Sequence, residues 1–154
     1  MTIKAELLLI LAPLIYIPFL INWIRNKTPI EKIVFKSFMF FYLAGVVGFT
    51  LFPIELDPEL RKTMFANIIM FIPLGCLYPL CSKYSVTWKR MLVTAFILTL
   101  AIEMAQLVQN LLYQAIPHSV DVDDLLLNTA GGMIGFAIFC MCRPLFRKWN
   151  IYGF

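Results

Sequence analysis

Glu103 is the one acidic residue that falls inside a long apolar run, in the stretch Ala101-Ile102-Glu103-Met104-Ala105-Gln106. A carboxylate at the centre of a lipid-embedded helix costs at least about 2.5 kcal/mol, so such a group must face a protein interior and find partners. Gln106 follows three residues on, and Gln109 and Asn110 continue at helical spacing, giving one polar stripe on one helix face. A second polar face comes later: Asp121, Asp124 and Asn128 stand at i, i+3 and i+7. Gly131 and Gly135 continue that face, and glycines four apart let another helix approach closely. Asn67, in "FANIIMFIPLG", is a third polar group inside an apolar run. His118, the only histidine, precedes the aspartates and would titrate near neutral pH beside Asp121 or Asp124.

Each of these residues also has a purely structural role open to it. Glu103 could be a neutral buried acid hydrogen-bonded to a neighbouring helix. Asp121 could cap a helix, a contribution of about 0.3–1 kcal/mol for an acid near an N-terminus. Asn67 could make an interhelical hydrogen bond of about 0.6 kcal/mol. Capping does not account for Asn128, a turn deeper.

Two kinds of chemistry fit. As a binding site, Asn67, Gln106, His118, Asp121 and Asn128 would join the carboxylates to hold a cationic or hydroxyl-rich ligand through charge-assisted hydrogen bonds. As an enzyme, a desolvated Glu103 would act as acid or base with Asp124 as its partner carboxylate, while Asn67 and Asn128 orient the substrate. No cofactor is required, although a divalent cation would suit the oxygen ligands of the outer carboxylates. The sequence leaves enzyme and binding protein both open. Other chemistries lack their parts. Ser82 and Ser119 have no activating neighbours, no glycine loop would cradle a phosphate, and Cys140-Met141-Cys142 has neither a nearby histidine nor a second pair to make a zinc site. The cysteines read as small apolar residues with reduced thiols.

The elements that must position these groups follow from composition. The 154 residues are 61% hydrophobic and 14% charged, with mean hydropathy +0.83. A soluble domain is about half apolar and about a quarter charged, so the surrounding solvent is apolar too. Apolar runs at about 5–24, 33–52, 64–81, 91–112 and 124–142 predict five transmembrane helices, each near the roughly 20 residues that span a bilayer. The expectation is an all-α membrane protein, one compact five-helix bundle forming a single domain over 1–154. The first run is too long for a signal-peptide core and shows no cleavage site, so it reads as a retained helix. Pro29, Pro53, Pro58, Pro117 and Pro144 punctuate connections or helix ends, while Pro13, Pro18, Pro73 and Pro79 fall inside spans.

The net charge of +4 does not point to nucleic acid, because the basic residues stand in small groups between apolar runs. Arg25, Lys27, Lys32, Lys36, Lys83, Lys89, Arg90, Arg143, Arg147 and Lys148 all fall on one side, leaving Lys4, Arg61 and Lys62 on the other. The positive-inside rule therefore puts the N-terminus outside and the C-terminus in the cytoplasm. Most acids, including Asp121, Asp123 and Asp124, gather at the outer face. Asn67, Glu103, Gln106, Asp124 and Asn128 then share one depth, and the polarity lines a cleft open to the outside. Membrane lipids are the expected partners. The short spans without inverted repeats argue against a monomeric transporter, and the oligomeric state is left open.

The segments "NIIMFIPLG" (67–75), "EMAQ" (103–106) and "SVDVDDLLLNTAGGMIG" (119–135) are similar, in order and spacing, to the VanZ-like family of bacterial membrane proteins. "TLFPIE" (50–55) also resembles the family's segment after its second helix, and the resemblance covers roughly residues 35–140. It implies a bacterial plasma-membrane protein with a role in resistance to glycopeptide antibiotics, chiefly teicoplanin. An acylated glycopeptide or a lipid-linked wall precursor would meet a polar cleft at the outer leaflet. One position departs from the pattern: His118 stands where many members carry arginine. If that arginine is the family's counter-charge for the carboxylates, the role here is weaker or pH-dependent, or Arg61 or Lys62 substitutes for it.

Overall fold

A computed structural model describes residues 5–51, 64–113 and 122–148. These form five helices: α1 (Ala5–Arg25), α2 (Ile30–Leu51), α3 (Met64–Cys81), α4 (Trp88–Tyr113) and α5 (Val122–Lys148). Every apolar run therefore becomes a helix, with some ends displaced outward for local reasons. α2 starts at Ile30 rather than 33 because the Pro29 carbonyl already accepts from the Ile33 amide. α4 starts at Trp88 rather than 91 because Thr87 caps it. The Thr87 hydroxyl accepts from the Arg90 amide at 3.3 Å, and its carbonyl accepts from Met91 at 2.9 Å. α5 runs past 142 to Lys148, and Pro144 lies inside it rather than ending it. Arg147 and Lys148 occupy its last turn, where cations meet the negative end of the helix dipole.

The α1–α2 connection is equally specific. Thr28 donates to the Trp23 carbonyl and Lys27 to the Ile24 carbonyl, with Lys27 at φ 50°. This is the left-handed helix stop usually made by glycine. Across that hairpin the Tyr16 and Ser37 hydroxyls share a 2.6 Å hydrogen bond, and Tyr16 packs on Phe40 and Phe41.

Among the described residues three segments are long and apolar enough to cross a membrane: Ile30–Thr50, Trp88–Gln109 and Val122–Lys148. At 1.5 Å per residue the shortest of them extends about 32 Å, enough for a hydrocarbon core of about 30 Å. Leu11–Arg25 and Ala66–Cys81 are apolar but shorter. The surface is inverted relative to a soluble protein. Leu14, Ile24, Phe38, Ile97 and Leu111 are exposed, whereas Thr99, Glu103 and Asn128 are buried.

α5 is the helix around which the core assembles, packing most closely against α3 and next against α4. Its glycines are the reason. A Cβ on Gly131 would fall 2.2 Å from the Ile68 carbonyl oxygen, and one on Gly135 would fall 2.0 Å from that of Ile72. α3 supplies its own gap at Gly75, where a Cβ would sit 2.2 Å from the Gly132 carbonyl oxygen. Backbone thus lies on backbone, and the Cys76 thiol donates to the Gly135 carbonyl at 3.2 Å. Gly132 faces the other way, with a built Cβ 3.0 Å from that of Ala95 on α4. Below these contacts Phe71, Leu74, Met91, Phe136 and Phe139 close the apolar core, and Trp88 sits edge-on to Phe136 at 4.8 Å.

Gly135→Ala should cost about 3 kcal/mol, at the upper end of overpacking, because a main-chain carbonyl cannot swing aside. Gly45, with nothing within 4 Å of a built Cβ, is the control. Gly45→Ala should match or exceed wild-type stability, by up to about 1 kcal/mol from helix propensity. Thermal denaturation of both variants in detergent micelles checks the contrast.

Candidate functional site

Two registers define the polar centre. α3 and α5 run parallel, so Ile68 meets Gly131 and, one turn further along both, Ile72 meets Gly135. α4 runs antiparallel to α5: Trp88 touches Phe136, and Ala95 touches Gly132. One helical turn from the Ala95–Gly132 contact, Thr99 is level with Asn128. One turn further, Glu103 is level with Asp124.

The structure brings several of the expected residues together. The Asn67 amide on α3 donates to the Asp124 carboxylate on α5. Glu103, 5% exposed, reaches the same level from α4, and Asn128, 3% exposed, lies one turn deeper. Polar groups from three helices therefore converge toward the end of the bundle where α2 and α4 finish and α3 and α5 begin. Their sources are local. Asp124 lies in the first turn of α5, where acids are favoured by the dipole. Asn67 lies in the first turn of α3, ahead of its proline-bearing stretch. Glu103 closes the buried row Met91, Ala95, Thr99, Glu103, spaced four residues apart.

Gln106 is directed elsewhere. Its amide donates at 3.1 Å to the Thr50 carbonyl, in the last turn of α2. The last four carbonyls of a helix have no partner within it, so Gln106 caps α2 rather than lining the Asn67–Asp124 contact. Tyr42 similarly ties α2 to α3, its hydroxyl donating to the Met70 carbonyl at 2.8 Å. His118 and Asp121 lie outside the described residues, as do Arg61 and Lys62. Among the described residues no three His, Cys, Asp or Glu side chains gather closely enough to hold a metal ion.

Sequence reasoning missed Thr99. It is fully buried, and its hydroxyl has no hydrogen-bond partner; the same is true of the Asn128 side-chain oxygen. Its spacing of four from Glu103 was the available signal. One hollow among the described residues lies away from this cluster. Leu92, Val93, Phe96, Leu126, Thr129, Ala130 and Met133 line an apolar groove of about 540 Å³ on the flank of α4 and α5. It offers hydrocarbon surface for acyl chains and almost no polar atom for chemistry.

The Asn67–Asp124 bond can be weighed directly. In a double-mutant cycle of Asn67→Ala and Asp124→Ala, the coupling energy should be about 0.5–1.7 kcal/mol, the range of interhelical hydrogen bonds in membranes. Unfolding free energies of the four proteins in micelles measure it.

A family model described as VanZ/LLP1 matches residues 6–143, from the start of α1 to the last turns of α5. No curated protein matches the chain, and no solved structure does. The matched span contains the three helices that carry Asn67, Glu103 and Asp124, and on that match the chain, a membrane protein by its long apolar helices, belongs to the VanZ/LLP1 family.

Proposed function

We propose that this protein contributes to glycopeptide resistance, of the teicoplanin type, or to envelope maintenance in a bacterial plasma membrane. It does so by holding a polar ligand at the Asn67–Glu103–Asp124 cluster rather than by turning one over. The ligand is the headgroup of a lipid, a lipid-linked wall precursor or an acylated glycopeptide. The observation that carries this reading is the hydrogen bond from Asn67 to Asp124, with Glu103 buried at the same level on a third helix. Acceptor oxygens and amides gathered there suit a cationic or hydroxyl-rich group, and membership of the VanZ/LLP1 family supports the envelope context.

The arrangement in the membrane belongs to the same proposal. All five helices span, with α1 and α3 as the shorter crossings. The N-terminus is outside and the C-terminus in the cytoplasm. Arg25 and Lys27 at the end of α1, Lys83 between α3 and α4, Lys89 and Arg90 in the first turn of α4, and Arg147 and Lys148 ending α5 then lie on one side, as the positive-inside rule asks. The polar cluster consequently sits beneath the outer surface, within reach of ligands that partition into the outer leaflet.

Teicoplanin susceptibility of cells expressing the protein tests the first part. Glu103→Gln keeps hydrogen-bonding capacity and should retain at least about half of the protection, while Glu103→Ala should lose it, with both proteins accumulating normally. Equal loss in the two variants, or a change in the mass profile of membrane lipids that depends on Glu103, would favour catalysis instead. For topology, Lys148→Cys in a cysteine-free background should resist a membrane-impermeant maleimide in intact cells and react after permeabilisation. Labelling in intact cells would reverse the orientation.

A further inference from the structure

Among the described residues, four helix hydroxyls bond back to the carbonyl four residues earlier. Ser37 does so to Ile33, Thr50 to Val46, Thr94 to Arg90 and Thr129 to Leu125, at 2.7–2.8 Å. Such back-bonding is the ordinary way for a hydroxyl to be satisfied in a membrane helix. Thr99 does not make it. Its residue is 0% exposed, and its hydroxyl has no partner of any kind. At the same level on the facing helix, the side-chain oxygen of Asn128 is also buried and without a partner. A buried polar atom left unsatisfied loses its hydrogen bonds to water and gains none in return. Two of them, on adjacent helices and one turn below Glu103 and Asp124, mark a place that something polar fills.

We propose that a hydroxyl group occupies this position, hydrogen-bonded to both Thr99 and Asn128. A hydroxyl fits because it donates and accepts at once. It can donate to the Asn128 oxygen while accepting from Thr99, and it serves either orientation of the amide. The group belongs either to a trapped water or to a ligand that reaches past the carboxylates. The water source is independent of the function proposed above. The ligand source rests on that function and narrows it to hydroxyl-bearing headgroups, such as glycerol or sugar.

The full chain in lipid nanodiscs, with Thr99→Val, Thr99→Ser and Asn128→Leu, tests this through thermal denaturation. Valine keeps the shape of threonine and removes the hydroxyl; serine keeps the hydroxyl and removes the methyl. The occupied site requires Thr99→Val to melt below Thr99→Ser, with a loss of about 2–4 °C relative to wild type per kcal/mol. It also requires the losses from Thr99→Val and Asn128→Leu to be less than additive when combined. If Thr99→Val melts at or above both wild type and Thr99→Ser, the site is dry and the proposal fails. Strict additivity would overturn it as well. Running the series in phosphatidylcholine and in phosphatidylglycerol nanodiscs separates the sources. An equal penalty in both assigns the hydroxyl to water. A larger penalty in phosphatidylglycerol, whose headgroup carries hydroxyls, assigns it to the ligand. A wet site with unchanged teicoplanin protection in Glu103→Ala would leave this inference standing and remove the function proposed above.

Discussion

The contact on which the rest depends is main chain against main chain between α3 and α5. Lipid tails are as apolar as leucine, so no hydrophobic force draws helices together within a bilayer, and association relies on close packing and hydrogen bonds. Gly75, Gly131 and Gly135 remove the side chains that would hold these two helices apart. In the register that this close approach sets, Asn67 reaches Asp124. Gly132, about 100° around the helix from Gly131, opens a second face for Ala95 and draws in α4. A single short glycine cluster thus sets two neighbours at once, and the level of Glu103 and Thr99 follows from it.

Inside that frame the chain reverses the soluble pattern. Burying a polar group is favourable only when it is hydrogen-bonded, and in hydrocarbon the alternative is worse. The polar side chains are therefore held where helices meet, and several of their bonds end on backbone carbonyls. Gln106 binds Thr50, Tyr42 binds Met70, and Cys76 binds Gly135. These bonds fix helices to one another. The Asn67–Asp124 pair differs in joining two side chains, one of them ionisable, which a ligand can compete for.

Much of this was legible in the sequence because lipid makes polar residues conspicuous. Asn67, Glu103, Asp124 and Asn128 stand out in apolar runs, and Gly131 and Gly135 share a face with two of them by simple helical spacing. Helix ends were less legible. A hydropathy run stops where lipid stops, whereas α2 and α4 extend to where their hydrogen bonding stops, at Pro29 and Thr87. The role of Gln106 was hidden because its partner is a backbone carbonyl, which leaves no mark on side-chain patterning. Thr99 was hidden for a related reason. Threonine is common in membrane helices and usually satisfies itself, as Thr94 does five residues away, so only coordinates reveal the exception.

The position of α5 in the chain has a consequence for biosynthesis. The ribosome delivers α3 and α4 before α5, yet the groove at Gly75 and the amide of Asn67 have their partners on α5. Until α5 enters the bilayer, the earlier helices wait with a polar group and a gap exposed to lipid. Assembly of the three helices is therefore decided when α5 arrives. A chain interrupted after α4 lacks the piece that orders the earlier helices.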